Sequence, residues 1–309
     1  MFVWWTTGRF EWEGAGMRRT AALLFAGLLA ATPSAAVAAP AAPGGEFTVL
    51  TYNVAGLPEP LSGSDPANNT PVIGERVRPY DVVHVQEDFN YHDALYEADD
   101  HPHRTPTSGG VPFGSGLNTL SDFPLHGLDR VTWSQCWINE ADCLTPKGFT
   151  FTRVEVAPGV EVDFYNLHAD AGDAPLDQAA RRSNLIQVSD HMAEHSAGRA
   201  VVVMGDTNSR YTSSGDIVRE FAQRNGLEDV WVRLVRGGVP PAVGEPAPGC
   251  DDETADQCEV VDKIFYRGGA GVSLDATSYR NERSGFRTQS GAPLSDHDPL
   301  SAGFRWSAG

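Results

Sequence analysis

Between residues 47 and 306 the chain returns again and again to strand-forming stretches. They are FTVLTYNV (47–54), DVVHVQE (81–87), GSGLNTLS (114–121), GFTFTRVEV (148–156), VEVDFYNLH (160–168), AVVVMGD (200–206), DKIFYR (262–267) and DPLSAGFRW (298–306). Several alternate apolar with polar residues, whereas VVVM is continuous and reads as buried on both faces. The clearest helix spans 174–197, with Asp173 as its N-cap, Pro175 in its first turn and Gly198 after its end. Its stripe of Leu185, Val188 and Met192 is the face for a sheet. Shorter helices are expected over 214–225 and near 70–78, and the Pro/Gly-rich stretch 237–249 is a loop. Strands mixed with segregated helices predict a layered α/β architecture, two sheets packed face to face with helices outside. No long linker divides the chain, so 46–309 reads as one domain.

Where these strands stop is as informative as where they run. VVVM leads into Gly205, Asp206 and Asn208, and burying an unpaired carboxylate in a strand interior costs several kcal/mol or more, so about this point the chain must surface. The same thing happens elsewhere: LTYNV ends at Asn53, VVHVQE at Glu87 and VDFYNLH at His168. Asp262 opens DKIFYR, and Asp296 and His297 directly precede the last strand. Any one of these has an ordinary turn role. Six together describe a scaffold that presents polar groups from many strand ends to one face. Carboxylates and carboxamides suit Mg²⁺ or another hard divalent cation. A histidine beside a carboxylate supplies a base near neutral pH. With phosphate-facing amides, this set points to hydrolytic displacement at phosphorus.

Composition narrows the class. The stretch MRRTAALLFAGLLAATPSAAVAA, starting at Met17, has the form of a secretory signal peptide with cleavage after Ala38 or Ala39, so residues 1–16 precede the expected start. Export agrees with four cysteines close in sequence, Cys136 with Cys143 and Cys250 with Cys258. Four thiols allow three pairings, and the local pairing is expected. The net charge is −18. Residues 1–38 hold Arg9, Arg18 and Arg19 against Glu11 and Glu13, so their removal leaves −19. Such an acidic chain is poorly matched to a nucleic-acid backbone.

The motifs YNV, QE, NLH, GDTN, VDKI and SDH, in that order, resemble those of the endonuclease/exonuclease/phosphatase superfamily. That resemblance covers about 48–306 and implies a four-layer α/β sandwich of the deoxyribonuclease type. Residue by residue it implies Glu87 as the Mg²⁺ carboxylate, with Asn53 supporting metal and phosphate and Asp296 as a second metal-site carboxylate. It makes His297 the general base, oriented by Asp262. Asp206 and Asn208 position water and phosphate, and His168 stabilises transition-state or leaving-group charge. Within the superfamily, HPHRTP (101–106), GSGLNTLSDFPL (114–125) and CLTPKGFTFTRV (143–154) are similar to secreted bacterial neutral sphingomyelinases of the phospholipase C type. Those enzymes carry a cysteine-closed loop ahead of a KGF strand, here 136–143, with Trp133 and Trp137 beside it. The two tryptophans have two readings, insertion at a lipid interface or cover over the core. Asp88 and Asn90 neighbour the metal-site segment. The chain departs from the pattern in LHADAG after His168 and in Lys263, where an aromatic is usual. The expectation is a secreted, monomeric Mg²⁺-dependent phosphodiesterase acting on a lipid headgroup at a membrane surface. An extracellular nuclease and a non-catalytic binding module on the same fold are the alternatives.

Overall fold

A computed structural model describes residues 43–309 apart from 60, 247 and 249; the expected signal peptide over 1–39 lies outside the described residues. The strands are β1 (Gly44–Asn53), β2 (Val82–Gln86), β3 (His103–Arg104), β4 (Asn118–Ser121), β5 (Leu125–Thr132) and β6 (Gly148–Ala157). They continue as β7 (Val160–His168), β8 (Val201–Asp206), β9 (Glu228–Asp229), β10 (Asp262–Arg267), β11 (Val272–Asn281) and β12 (Leu300–Ala308). The helices are α1 (Pro66–Val77), α2 (His92–Ala98), α3 (Pro175–His195), α4 (Val218–Asn225) and α5 (Val230–Leu234). None of the described helices is long and apolar enough to cross a membrane.

Two six-stranded sheets form, in the orders β11-β12-β1-β2-β4-β3 and β5-β6-β7-β8-β10-β9. Both are mixed: β1 and β2 pair in parallel, as do β7 and β8, and the other pairs are antiparallel. Side-chain alternation explains the layers. In β8, Val202 and Met204 enter the cluster between the sheets with Phe47, Phe164 and Phe304. Val201 and Val203 point the other way, onto Leu185, Val188 and Met192 of α3 and Phe221 of α4. The run VVVM is therefore covered on both faces, as its lack of alternation implies. A third cluster joins Leu50, Tyr52, Val83 and Val85 to Ile73, Val77 and Leu95, covering the first sheet with α1 and α2. The result is the expected order of helices, sheet, sheet, helices.

Boundaries differ in ways that have local causes. Helix α3 begins at Pro175 with Ala174 as its N-cap; Asp173 does not cap it, because the carboxylate of Asp177 accepts the Ala174 N–H at 2.9 Å. The helix expected from 214 begins at Val218, and the one near 70–78 begins earlier, at Pro66. Both predicted disulfides are present, Cys136–Cys143 and Cys250–Cys258, with Cα atoms 5.6 and 6.0 Å apart.

At one end of the sandwich the interior turns polar. Gln86 Nε2 donates to Asn166 Oδ1 at 2.8 Å and to Thr51 Oγ1 at 3.1 Å. Asn166 Nδ2 donates to the carbonyls of Val85 and Asn118. These hydrogen bonds link the buried amides across the gap between the sheets. They tie β1 and β2 to β7 just below the strand ends that carry the candidate site.

Candidate active site

Strand register does most of the positioning. β8 lies between β7 and β10, and Asp206 is paired with His168 on one side and Asp262 on the other. Three separate segments thus deliver an ionisable residue to one level of one sheet. Gly205 makes this possible: it has φ 151°, and a Cβ there would stand 2.2 Å from the Leu167 carbonyl oxygen. Across the gap, Asn53 ends β1 and Glu87 follows β2 with φ 57°, a left-handed conformation that a non-glycine residue holds only when its surroundings dictate it. Gly56 N–H donates to the Glu87 carbonyl at 3.1 Å, and a Cβ on Gly56 would come within 2.4 Å of that oxygen.

The carboxamide of Asn53 joins the two sheets. Its Nδ2 donates to Glu87 Oε1 at 3.0 Å and to Asp206 Oδ2 at 3.2 Å, while its Oδ1 accepts from the Ala55 N–H. So oriented, Asn53 serves the two carboxylates as a donor. His168 Nε2 lies 3.3 Å from Asp206 Oδ2 and 4.0 Å from Glu87 Oε1. His297 Nδ1 is 2.8 Å from Asp262 Oδ2, and its Nε2 is 3.7 Å from Asp206 Oδ2. Asn208, in the left-handed region at φ 48°, donates its backbone N–H to Asp206 Oδ1 at 2.9 Å and its Nδ2 to the Ala169 carbonyl at 3.0 Å. Asp296 is exposed at the rim, where its Oδ1 accepts from Ser295 Oγ. That serine also donates to the Asn53 carbonyl at 2.7 Å, tying the last loop to β1.

Charge is unevenly shared. Burial opposes a charge on His297, yet Asp262 and Asp206 raise its pKa to about 11, so it rests as imidazolium. Burial and then the Lys147 ammonium push His168 down to about 3, which keeps it neutral. Burial raises Glu87, with Asp296 and Asp206 adding to it, against the pull of Lys147 and the Asn53 hydrogen bond. Burial also works against the Asp206 carboxylate, but His297, His168 and Lys147 together hold its pKa below the usual value. Asp262 is raised, first by burial. Among the described residues, Asp206, Asp262 and His297 are one of two groups whose ligand atoms lie close enough for a shared ion. The 2.8 Å Nδ1–Oδ2 contact makes that group a hydrogen-bonded triad, with Nε2 the ring nitrogen facing Asp206. The crowded, half-buried Glu87 carboxylate fits a hard divalent cation better, because positive charge there offsets the burial that raises it and the repulsion from Asp296 and Asp206.

Lys147 is the site residue that strand-end reasoning misses. It lies in the loop before β6, contacts Asp142 in a close ion pair and approaches His168 Nε2 to 3.0 Å. The Cys136–Cys143 disulfide closes the loop that holds Asp142. Trp133, in contrast to the interfacial reading, is core: it packs with Phe149 and donates Nε1–H to the His168 carbonyl at 2.8 Å. Trp137 is 40 % exposed, and Ile138 and Leu144 are exposed on the same loop. Asp88 is buried away from the hollow, bound to His92 at 2.6 Å and to Asn118 at 2.6 Å. Asn90 is exposed.

Beneath the loop, Asp170 is fully buried and accepts the Trp137 N–H at 2.7 Å through Oδ2, and its Oδ1 has no partner among the described residues. Burial raises its pKa to about 6. The folded state therefore binds this proton more tightly than the unfolded chain does. Stability is lost as pH rises from the unfolded value of about 4 to the folded value, and the loss is complete above it. Asp170→Asn keeps an acceptor for Trp137 and removes the charge. We expect it to be more stable than the wild type by about 2 kcal/mol at pH 7, with the gap closing near pH 4. Urea melts at the two pH values check this; equal stabilities at pH 7 would contradict it.

Comparison with known proteins follows the same lines. A family model described as endonuclease/exonuclease/phosphatase family 2 matches residues 69–237, more than half of the chain. A sphingomyelinase of Mycobacterium tuberculosis (strain ATCC 25618 / H37Rv) is 45% identical over 273 residues, covering 85% of this chain and 54% of that protein. The chain thus spans about half the length of the curated relatives it matches. Among solved structures, sphingomyelinase C from Streptomyces griseocarneus superposes with a TM-score of 0.59 at 20% identity, over 84% of this chain and 99% of that one. A Staphylococcus aureus beta toxin with bound magnesium ions gives 0.58 at 16% identity, over 84% and 99%. At these identities the structures bear on the fold alone.

Proposed function

Because the chain belongs to the endonuclease/exonuclease/phosphatase family 2, we propose that it is a secreted phosphodiesterase that cleaves a phosphoester by in-line attack of water, with a phospholipid headgroup as substrate. The single observation that carries the reaction is the convergence of Asp206 with His168, Asp262–His297 and the Asn53–Glu87 pair.

Each group then has a chemical task. Asp262 accepts the Nδ1–H of His297 and fixes the ring, so that once Nε2 has given up its own proton it can take that of the attacking water. The backbone turn at Asn208 and the carboxylate of Asp206 hold that water. The Lys147 ammonium, with neutral His168 accepting from it at Nε2, supplies positive charge beside the phosphoryl oxygens, where negative charge develops. Glu87, with Asp296 at the rim, would hold the divalent cation, and Asn53 orients Glu87 by donating to it. When bound, Mg²⁺ supplies Lewis-acid polarisation of a phosphoryl oxygen.

Two features support a lipid over a polynucleotide. Net charge is −18, which opposes a polyanion. The loop bearing Trp137, Ile138 and Leu144 ends at Lys147, so exposed apolar surface adjoins the hollow. The deciding experiment is a parallel assay with Mg²⁺ on sphingomyelin vesicles, plasmid DNA and soluble phosphomonoesters. Turnover of the vesicles is expected to exceed that of the other two. DNA cleavage without lipid turnover would replace the lipid reading with that of a nuclease.

A further inference from the structure

The buried face of α3 changes character along its length. Its second half is mainly apolar, with Leu185, Val188 and Met192, but its first half buries Asp177, Arg181 and Asn184, and Arg181 is the largest side chain with under 2 % exposure among the described residues. Spacings of four and three residues put these polar groups on one side of the helix. An ordinary sheet-covering helix would use that side for Leu or Val, so the hydrogen bonds there need an account.

Arg181 spends its donors on two loops. Nη1 donates to the carbonyls of Asp170 at 3.1 Å and Gly172 at 2.8 Å. Nε and Nη2 donate to Asp216 Oδ1 at 2.8 and 2.6 Å. The other oxygen of Asp216 accepts the Arg210 N–H at 2.9 Å. Asn184 completes the grip: its Oδ1 accepts the Asp170 N–H, and its Nδ2 donates to the Gln135 carbonyl, both at 2.9 Å. Asp170 lies two residues past His168, and Arg210 lies two residues past Asn208. One rigid guanidinium therefore spans the loops that leave β7 and β8, immediately behind the candidate site. The Asn208 Nδ2 bond to the Ala169 carbonyl at 3.0 Å is the front side of the same junction.

We propose that Arg181, through Asp216 and the Asp170 and Gly172 carbonyls, is a positioning residue that sets the spacing of His168 against Asn208 for catalysis. The proposal rests on the phosphodiesterase reading for its kinetic consequence, but the clamp itself has a separate readout. Lysine at 181 is a point charge without the planar fork, so it can hold Asp216 or the carbonyls but not span both. Misplacing groups by about 1 Å costs on the order of 100-fold in rate.

The test compares Arg181→Lys with Met192→Ala, which opens the apolar half of the same helix and touches neither loop. With Mg²⁺ and bis(p-nitrophenyl) phosphate, Arg181→Lys is expected to lose roughly 30- to 100-fold in kcat with KM changed by less than about twofold. Met192→Ala is expected to lower Tm while keeping wild-type kcat at temperatures below its melt. Independently of turnover, amide hydrogen exchange at Asp170 and Arg210 is expected to speed up in Arg181→Lys, with exchange at Val188 unchanged. Faster exchange at those two amides with kcat intact would overturn the catalytic role and keep only a structural clamp. Unchanged exchange would overturn the clamp. Should Arg181→Lys fail to fold, Asp216→Ala removes the other end of the bridge and carries the same expectations. His297→Ala in the same assay separates the two levels: if it remains active, the reading of the site fails, whatever Arg181 does.

Discussion

Replacing His297 by alanine is expected to lower kcat by about 1,000-fold or more while leaving the fold in place. The imidazole is held from one side only, by Asp262 at 2.8 Å, and Nε2 faces Asp206 across 3.7 Å. Among the described residues no backbone group depends on its ring nitrogens, so truncation removes chemistry and little packing. Asp262→Asn tests the pairing more finely. Asp262 is the first of the carboxylates that raise the imidazole to about 11, and a base must be deprotonated to act. Activity is therefore lost on the acid side, where the ring keeps its proton, and the amide moves this acidic limb of kcat/KM to lower pH. Positive charge brought beside Asp206 moves it the same way. The double variant is expected to be no worse than His297→Ala alone, because two parts of one device are not additive. An unmoved limb in Asp262→Asn, or near-wild-type turnover in His297→Ala, would take the histidine out of the mechanism.

The sequence announces some parts of this site and hides others, for a physical reason. Asn53, Glu87, His168, Asp206, Asp262 and His297 are legible because each interrupts or borders an apolar run, where a polar group stands out by the partner it needs. Lys147 breaks no run, so only the fold shows that it reaches His168. The same asymmetry holds for the scaffold. Strands with continuous or alternating apolar residues stand out, whereas β5 and β11, exposed over much of their length, carry too mixed a pattern to be found. In α3 the stripe Leu185, Val188 and Met192 reads correctly as a sheet-facing surface. Nothing in the sequence marks Asp177, Arg181 and Asn184 as buried, since charged side chains are almost never fully buried without a partner. Arg181 finds its partners in backbone carbonyls and one distant aspartate, and Asp177 and Asn184 find theirs in other loops, which no spacing rule reveals.

Replacing Glu87 by glutamine is expected to lower kcat by about 1,000-fold at subsaturating Mg²⁺ and to weaken Mg²⁺ binding measured by calorimetry. The residue's conformation is the reason to expect so large an effect from removing one charge. A left-handed φ of 57°, fixed by the Gly56–Glu87 backbone bond at 3.1 Å, holds the side chain among Asn53, Asp206, Lys147 and His168. Backbone strain of this kind costs on the order of 1–3 kcal/mol and survives where the surroundings over-determine it. Glutamine keeps the shape and an oxygen to accept from Asn53, so the cradle persists and only the charge goes. Burial already raises this carboxylate, and Asp296 and Asp206 raise it further. In the wild type, therefore, acid and divalent cation compete for one group: lowering pH weakens Mg²⁺ binding, and in Glu87→Gln that dependence is expected to flatten. EDTA is expected to abolish turnover in the wild type and excess Mg²⁺ to restore it. A Glu87→Gln enzyme with wild-type Mg²⁺ affinity, or a wild-type enzyme fully active after exhaustive chelation, would move the cation away from Glu87 and leave the histidine–aspartate half of the site to explain hydrolysis alone.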